Sequence, residues 1–481
     1  MERGHGVATI TFGTSGWRAI VAETFTFSNV RIAVAAIAVY LKKNGNDKRG
    51  ILVAGDYRFL SEEFMKTTIQ VLAAFDIPIY VCPVGTPTPA VSYEVVRRQL
   101  AGSINFTASH NPYQYQGLKF NDHDGGPAPV ETTRILEQEV EYMLKSGSSI
   151  PEISYEEAVK KDNVVFIDPK PEYFKRIREL VDFDAIRKAH LHVIVDSMHG
   201  NGMGYLDQLL EESGTIVKSL HANRDPFFGH IHPEPGKDQL KDAIELLKSW
   251  PAHLITANDG DADRFGIVDG QGYYLTPNQV LAIVLQHLIQ TRKWRGSVVR
   301  SISTTRLLDA IAAKSFLPVR ETPVGFKYIA EVMRQEEILV GGEESGGLTV
   351  YQHVPEKDGI LACLLMVEVV AKAGRNLGII LQSLFQEYGP YYQDRINIQV
   401  GPNEKQQIED QLKNHAPHEW AGLKVREVQT RDGYRFLLDQ EATLLIRFSG
   451  TEPLVRCYLE TRDAQQLEML QKELKSFFSI L

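Results

Sequence analysis

Cysteine is scarce in this 481-residue chain: Cys82, Cys363 and Cys457 stand far apart and never form C-x-x-C. Neither a disulfide framework nor a zinc site is indicated, and a reducing compartment, by default the cytoplasm, is expected. Long apolar runs are missing too. The longest, at 32–41 and 360–367, are too short to span a bilayer, and residues 1–16 contain no apolar core of a signal peptide, so no membrane partner is expected. There is no basic stripe. Acidic residues outnumber basic ones by 61 to 52 with the signs interspersed, which argues against nucleic acid and in favour of small ligands. Heptads, low-complexity tracts, solenoid repeats and the Walker pattern G-x-x-x-x-G-K-[ST] are also absent.

A repeated rhythm is present: a short apolar run, a polar loop, then a segment of helical periodicity. Residues 50–56 lead into 61–75, where Ser61, Glu62 and Glu63 make a helix start; 191–196 lead into 197–202, and 296–300 into 303–305. Such alternation predicts α/β layers with ligands at the loops after the strands, and the length predicts two to four domains. Breaks in composition divide the chain into residues 1–160, 161–255 and 256–385, all α/β, and a smaller α+β unit, 386–481, with strands near 395–400 and 442–448 and a closing helix at 463–478.

Four loops carry groups suited to chemistry. Thr107-Ala108-Ser109-His110-Asn111-Pro112 presents a hydroxyl beside an imidazole, a pattern equally compatible with a capped turn. Asp259, Asp261 and Asp263 alternate after an apolar run, so one curved loop can aim three carboxylates at a hard cation such as Mg²⁺. An EF-hand would require Gly at position six and Glu at twelve, where Arg264 and Gly270 stand. Gly342-Glu343-Glu344-Ser345-Gly346-Gly347 offers acceptors suited to sugar hydroxyls, with Lys327 and Lys357 nearby for an anion. Arg447, Ser449, Gly450, Thr451 and Arg456 make a cationic, hydroxyl-bearing loop able to cradle phosphate. Each of these last two is also compatible with an ordinary surface turn. Upstream, Gly13–Arg18 adds hydroxyls and Arg18. Lys119, ten residues after Ser109, could serve as general acid and base if shifted toward neutrality. His230 and His232 lack a third ligand type nearby and read as a polar loop.

In their order and spacing over nearly the whole chain, these loops resemble the α-D-phosphohexomutase superfamily, with its serine, D-x-D-x-D-R, G-E-x-S and C-terminal phosphate loops. The resemblance implies four domains around a central cleft, three related α/β domains with mixed sheets and a fourth of α+β type, with domain four moving on a hinge near 377–388. It also implies that Ser109 is a phosphoserine, whose oxygen would bind Mg²⁺ together with Asp259, Asp261 and Asp263. Arg18 and Arg264 would stabilise the transferring group, and Lys119 would act as general acid/base with support from His110. Glu343, Ser345 and Lys357 would hold the sugar end, while Arg447, Ser449, Gly450, Thr451 and Arg456 would hold the distant phosphate.

The implied reaction interconverts glucose 1-phosphate and glucose 6-phosphate through glucose 1,6-bisphosphate, with the protein a monomer or homodimer. Glu344 stands where the glucosamine branch usually has Gln, and Gly347 where a mannose/glucose branch often has His, so a phosphorylated glucose is expected first and mannose 1-phosphate second. A Mg²⁺-dependent phosphatase and a non-catalytic sugar-phosphate binder are the competing classes. The phosphate loop counts against the first, and the pairing of Ser109 with a metal loop against the second.

Overall fold

The apolar runs become the central strands of successive sheets in a computed structural model, which describes residues 10–13, 15–147, 149–448 and 454–479. The first sheet contains β1 (Trp17–Ile20), β2 (Ile51–Gly55), β3 (Ile79–Val81), β4 (Gly102–Phe106), β5 (Tyr115–Asp122) and β6 (Val164–Phe166), in the order β1-β5-β4-β2-β3-β6. Strands β2, β3, β4 and β6 are parallel, whereas β5 and β1 pair antiparallel at one edge. Alternation along β2 shows why the run is apolar throughout. Ile51 and Val53 pack under the helices Phe27–Lys43 and Ser61–Ala74, and Leu52 and Ala54 pack under the helix Thr88–Arg98 on the opposite face.

The second sheet comprises β7 (His192–Asp196), β8 (Ile216–Leu220), β9 (Leu254–Asn258), β10 (Phe265–Asp269) and β11 (Tyr274–Leu275), ordered β11-β10-β9-β7-β8. The third, β13-β12-β14-β15, is built from β12 (Ser297–Ser301), β13 (Val319–Thr322), β14 (Ile338–Glu343) and β15 (Gly347–Val350). Both mix parallel and antiparallel pairs. The fourth is antiparallel throughout: β16 (Tyr392–Gln399), β17 (Glu419–Trp420), β18 (Leu423–Gln429), β19 (Tyr434–Leu438), β20 (Thr443–Phe448) and β21 (Leu454–Thr461). Ile408 and Leu412 from one helix and Leu470 and Leu474 from another join its buried face, giving an α+β layer.

The sheets correct the expected divisions. A boundary at 255/256 would cut through β9, because the apolar run at Leu254 begins the middle strand of the second sheet and not a new domain; the Asp loop thus belongs to the second sheet. The first sheet likewise extends past residue 160 to its edge strand β6. The segment expected as a hinge is the helix Leu377–Tyr388, anchored by buried Leu377, Leu381 and Leu384, and the chain leaves it at Gly389, whose φ is 78°.

One helix, Gly359–Ala373, is apolar apart from Glu368 and Lys372 and buried along most of its length, as expected of an element enclosed on nearly all faces. Asp358 caps it by accepting from the Leu361 N–H at 2.8 Å, and also accepts from the Tyr173 hydroxyl and pairs with His353 Nε2 at 2.8 Å. Among the described residues, no helix is long and apolar enough to cross a membrane.

Candidate active site

The serine and Asp loops meet where the first and second sheets abut. Ser109 lies beyond the end of β4 with φ of 52°, and its Oγ donates to Asp259 Oδ2 at 2.6 Å. The contact depends on Gly260, since a Cβ there would come within 2.6 Å of the Ser109 carbonyl oxygen. Antiparallel pairing of β4 with β5 brings Lys119 back beside the serine loop, where its ammonium donates to Asp261 Oδ2 at 2.6 Å and to Asp263 Oδ2 at 2.8 Å. Lys357, preceding the buried helix, reaches the same Asp263 oxygen at 2.9 Å and is held by Glu356 at 2.8 Å. Gly347 leaves room for it, because a Cβ there would lie 2.5 Å from Lys357 Cδ.

The three aspartates are buried, and one oxygen from each can be chosen so that all lie within 4.8 Å of one another. Asp261 Oδ1 and Asp263 Oδ1 have no hydrogen-bond partner. Three buried carboxylates with oxygens this close, two of them carrying an unpartnered oxygen, fit a hard divalent cation bound through oxygen. Burial, followed by repulsion from Asp261 and Asp263, pushes the Asp259 carboxyl well above the usual range. Burial opposes ionisation of Asp263 as well, but Lys119, Lys357 and Arg264 outweigh it and hold this group far below that range. Asp261 also ends lowered, with Lys119 and the Thr88 hydroxyl overcoming burial and the charge of Asp263.

Lys119 differs from expectation. Burial disfavours its ammonium, yet Asp261 and Asp263 more than compensate, so its pKa is raised and the side chain is charged rather than shifted toward neutrality. His110 behaves oppositely. Burial, then the positive field of Arg264 and Arg18, lowers it well below the ordinary imidazole value, leaving a neutral ring whose Nδ1 lies 3.5 Å from Ser109 Oγ.

Arg18, on β1, donates to Asn111 Oδ1 at 2.6 Å. Arg264 anchors the Asp loop through its own N–H to Asp259 Oδ1 at 3.0 Å, while its Nε stays 3.9 Å from Asp263, outside hydrogen-bond reach. Arg264 Nη1 lies 3.6 Å from Glu234 Oε1 while its Nε has no hydrogen-bond partner, and both guanidinium groups act on His110, the neighbour of Ser109. Glu343 ends β14, where burial raises its carboxyl although Oε1 accepts from the Gly325 N–H at 2.7 Å. Glu344 and Ser345 line a cavity of about 470 Å³ between the second, third and fourth sheets, and Glu344 faces Arg395 across it at 3.3 Å. None of the lining residues comes from the serine loop.

On the fourth sheet Arg447 and Arg456 are register partners on β20 and β21, so their side chains share one face. Asp432 accepts from Arg447 Nε at 2.9 Å and from the Val324 N–H of the third domain at 2.8 Å. Ser449, Gly450 and Thr451 lie outside the described residues. Three further participants were not anticipated. Thr88 donates to Asp261 Oδ2 at 2.6 Å, Asn111 receives Arg18, and Arg58 binds the carbonyls of the serine loop. The sequence signal nearest the last of these is the polar loop that follows the apolar run at 50–56, a position where such sheets bind ligands.

Family models described as phosphoglucomutase/phosphomannomutase alpha/beta/alpha domains I, II and III match residues 9–145, 171–272 and 276–388, and the corresponding C-terminal domain matches 396–476. A phosphoglucomutase/phosphomannomutase of Thermococcus kodakarensis is 29% identical over 458 residues, covering 95% of each chain. A phosphoglucosamine/phosphogalactosamine mutase of Sulfurisphaera tokodaii is 28% identical, over 96% of this chain and 98% of its own. The crystal structure of a Thermus thermophilus protein assigned as a phosphomannomutase superposes with a TM-score of 0.84 at 30% identity, covering 98% of this chain and all of that one.

Proposed function

Since the chain belongs to the phosphoglucomutase/phosphomannomutase family of the phosphohexomutases, isomerases that relocate a phosphoryl group on a sugar, we propose that it interconverts glucose 1-phosphate and glucose 6-phosphate through phospho-Ser109. One observation carries the reading: Ser109 Oγ, the Asp259-Asp261-Asp263 trio and Lys119 converge in a single buried cluster assembled from two domains. The sequence of the sugar loop and of the segment 353–359 supports glucose over mannose or glucosamine.

In the forward half-reaction the 6-hydroxyl oxygen of glucose 1-phosphate attacks the phosphorus of phospho-Ser109. The O6–P bond forms as the Oγ–P bond breaks, and the hydroxyl proton is relayed to the departing serine oxygen, leaving glucose 1,6-bisphosphate. After the bisphosphate turns around, its 1-phosphate is returned to Ser109 by the reverse exchange. Phosphoryl transfer demands chiefly alignment and charge stabilisation. Arg18 and Arg264 provide donors for the equatorial oxygens, and Lys119, with His110 beside the serine, moves the proton. Asp259, Asp261 and Asp263, with a phosphoserine oxygen, would hold a Mg²⁺ ion, which would supply positive charge to stabilise the transferring phosphoryl group. Glu343, Ser345 and Lys357 hold sugar hydroxyls and phosphate, and Arg447 and Arg456, with Ser449, Gly450 and Thr451, hold the phosphate that is not reacting.

The test supplies purified protein with Mg²⁺, glucose 1-phosphate and a trace of glucose 1,6-bisphosphate. Formation of the 6-phosphate, with phosphate on Ser109 by intact-mass and peptide analysis, is expected. An unphosphorylated Ser109 without product overturns the reading, and rapid release of inorganic phosphate replaces it with a phosphatase. Faster turnover of mannose or glucosamine 1-phosphate reassigns the substrate.

A further inference from the structure

Arg58 is a buried guanidinium in which every N–H has an acceptor. Nε donates to Asp56 Oδ2 at 3.0 Å, Nη1 to the carbonyls of Pro112 at 2.9 Å and Tyr115 at 3.0 Å, and Nη2 to those of Ser109 and Asn111, both at 2.6 Å. Arginine has five such donors, so none is left for a substrate. This separates Arg58 from Arg18 and Arg264. Asp56 fixes the fork from below, accepting also from the Arg58 N–H and the Ser61 hydroxyl. From the second domain, Phe228 covers the guanidinium with its ring centroid 4.8 Å away, and the same ring borders Gly260 in the Asp loop.

We propose that Arg58 is the positioning residue of Ser109: its fork holds three carbonyls of the serine loop and that of Tyr115 at the start of β5, and keeps Ser109 in the left-handed conformation that aims Oγ at Asp259. A non-glycine residue at φ of 52° is sterically disfavoured and persists where its surroundings over-determine it. The Ser109 and Asn111 carbonyls, gripped by one nitrogen, bracket the strained stretch. Phe228 couples that grip to the domain carrying the aspartates. Arg58 thereby sets the angle between nucleophile and metal loop without touching the phosphoryl group.

The proposal rests on Ser109 being the phosphoryl carrier, which is checked first in the parental enzyme; absence there of both phosphoserine and mutase turnover overturns that reading before any variant is made. Arg58→Lys retains charge but has no planar fork, and Arg58→Met removes both. With Mg²⁺, glucose 1-phosphate and trace glucose 1,6-bisphosphate, both folded variants are expected to lose about 100-fold in kcat, the scale of a misplaced reacting group, with KM little changed. Ser109 loading by the bisphosphate, followed by intact mass, should slow by a similar factor. Circular dichroism and thermal melting separate this from unfolding. If neither variant folds, Asp56→Asn, which loosens the fork without removing it, is expected to show the same kcat-selective loss. Wild-type kcat in a folded variant, or a loss confined to KM, overturns the proposal.

Discussion

Ser109→Ala removes the hydroxyl gripped by Asp259, and kcat is expected to fall on the order of 10³-fold or more in a coupled glucose 6-phosphate assay, with no phosphate retained on the protein. The candidate nucleophile and the aspartates could be singled out in the sequence because each lies in a short contiguous loop. Contacts made through space left no such trace. Thr88 and Asp261 are 173 positions apart, and nothing around Thr88 distinguishes it from a helix start. The charge state of Lys119 was illegible for the same reason: its two counter-ions lie 142 and 144 positions downstream, and they reverse the effect of burial. Gly347 could be read as a missing side chain, yet its meaning, space for the Lys357 stem, is visible only in three dimensions.

At the scale of single elements, the helix Gly359–Ala373 carries an acid-sensitive joint. Glu368 is fully buried within it and receives His287 Nε2 at 2.8 Å, Arg292 Nη2 at 2.7 Å and the Asp182 N–H at 2.8 Å. Burial alone would raise its pKa, but these donors outweigh burial and bring it from 4.5 to about 2. A carboxyl depressed on folding stabilises the native state above its unfolded pKa, and this contribution is lost as pH falls from about 4.5 toward 2. Glu368→Gln is accordingly expected to cost roughly 3 kcal/mol at neutral pH and to flatten the acid limb of stability, measured by urea unfolding across that window. The strand–helix alternation around such elements was legible where a strand has an apolar centre and is buried along nearly its whole length, as in β2, β7 and β12. It failed at β6, a three-residue edge with two exposed side chains, and at β9, whose apolar start resembles a fresh domain.

On the scale of the whole molecule, the fourth domain is fastened to the third by charged groups. Glu321 joins Arg300 to Arg435 at 2.8 Å on each side, Arg306 pairs with Glu460 at 3.3 Å, and Asp432 bridges Val324 and Arg447. Part-exposed ion pairs contribute on the order of 1 kcal/mol; we propose that these hold domain four closed, so that Glu321→Gln favours an open arrangement about fivefold. Small-angle scattering should then report a larger radius of gyration and kinetics a raised KM; both should also move with added salt, which screens such pairs. The close approach of Gly260 to the Ser109 carbonyl has a temporal consequence as well. Two residues 151 positions apart can meet only after two separately wound sheets have docked. During refolding from denaturant, helical signal should therefore return first and enzymatic competence later, with the lag measuring the docking of finished domains rather than their individual formation.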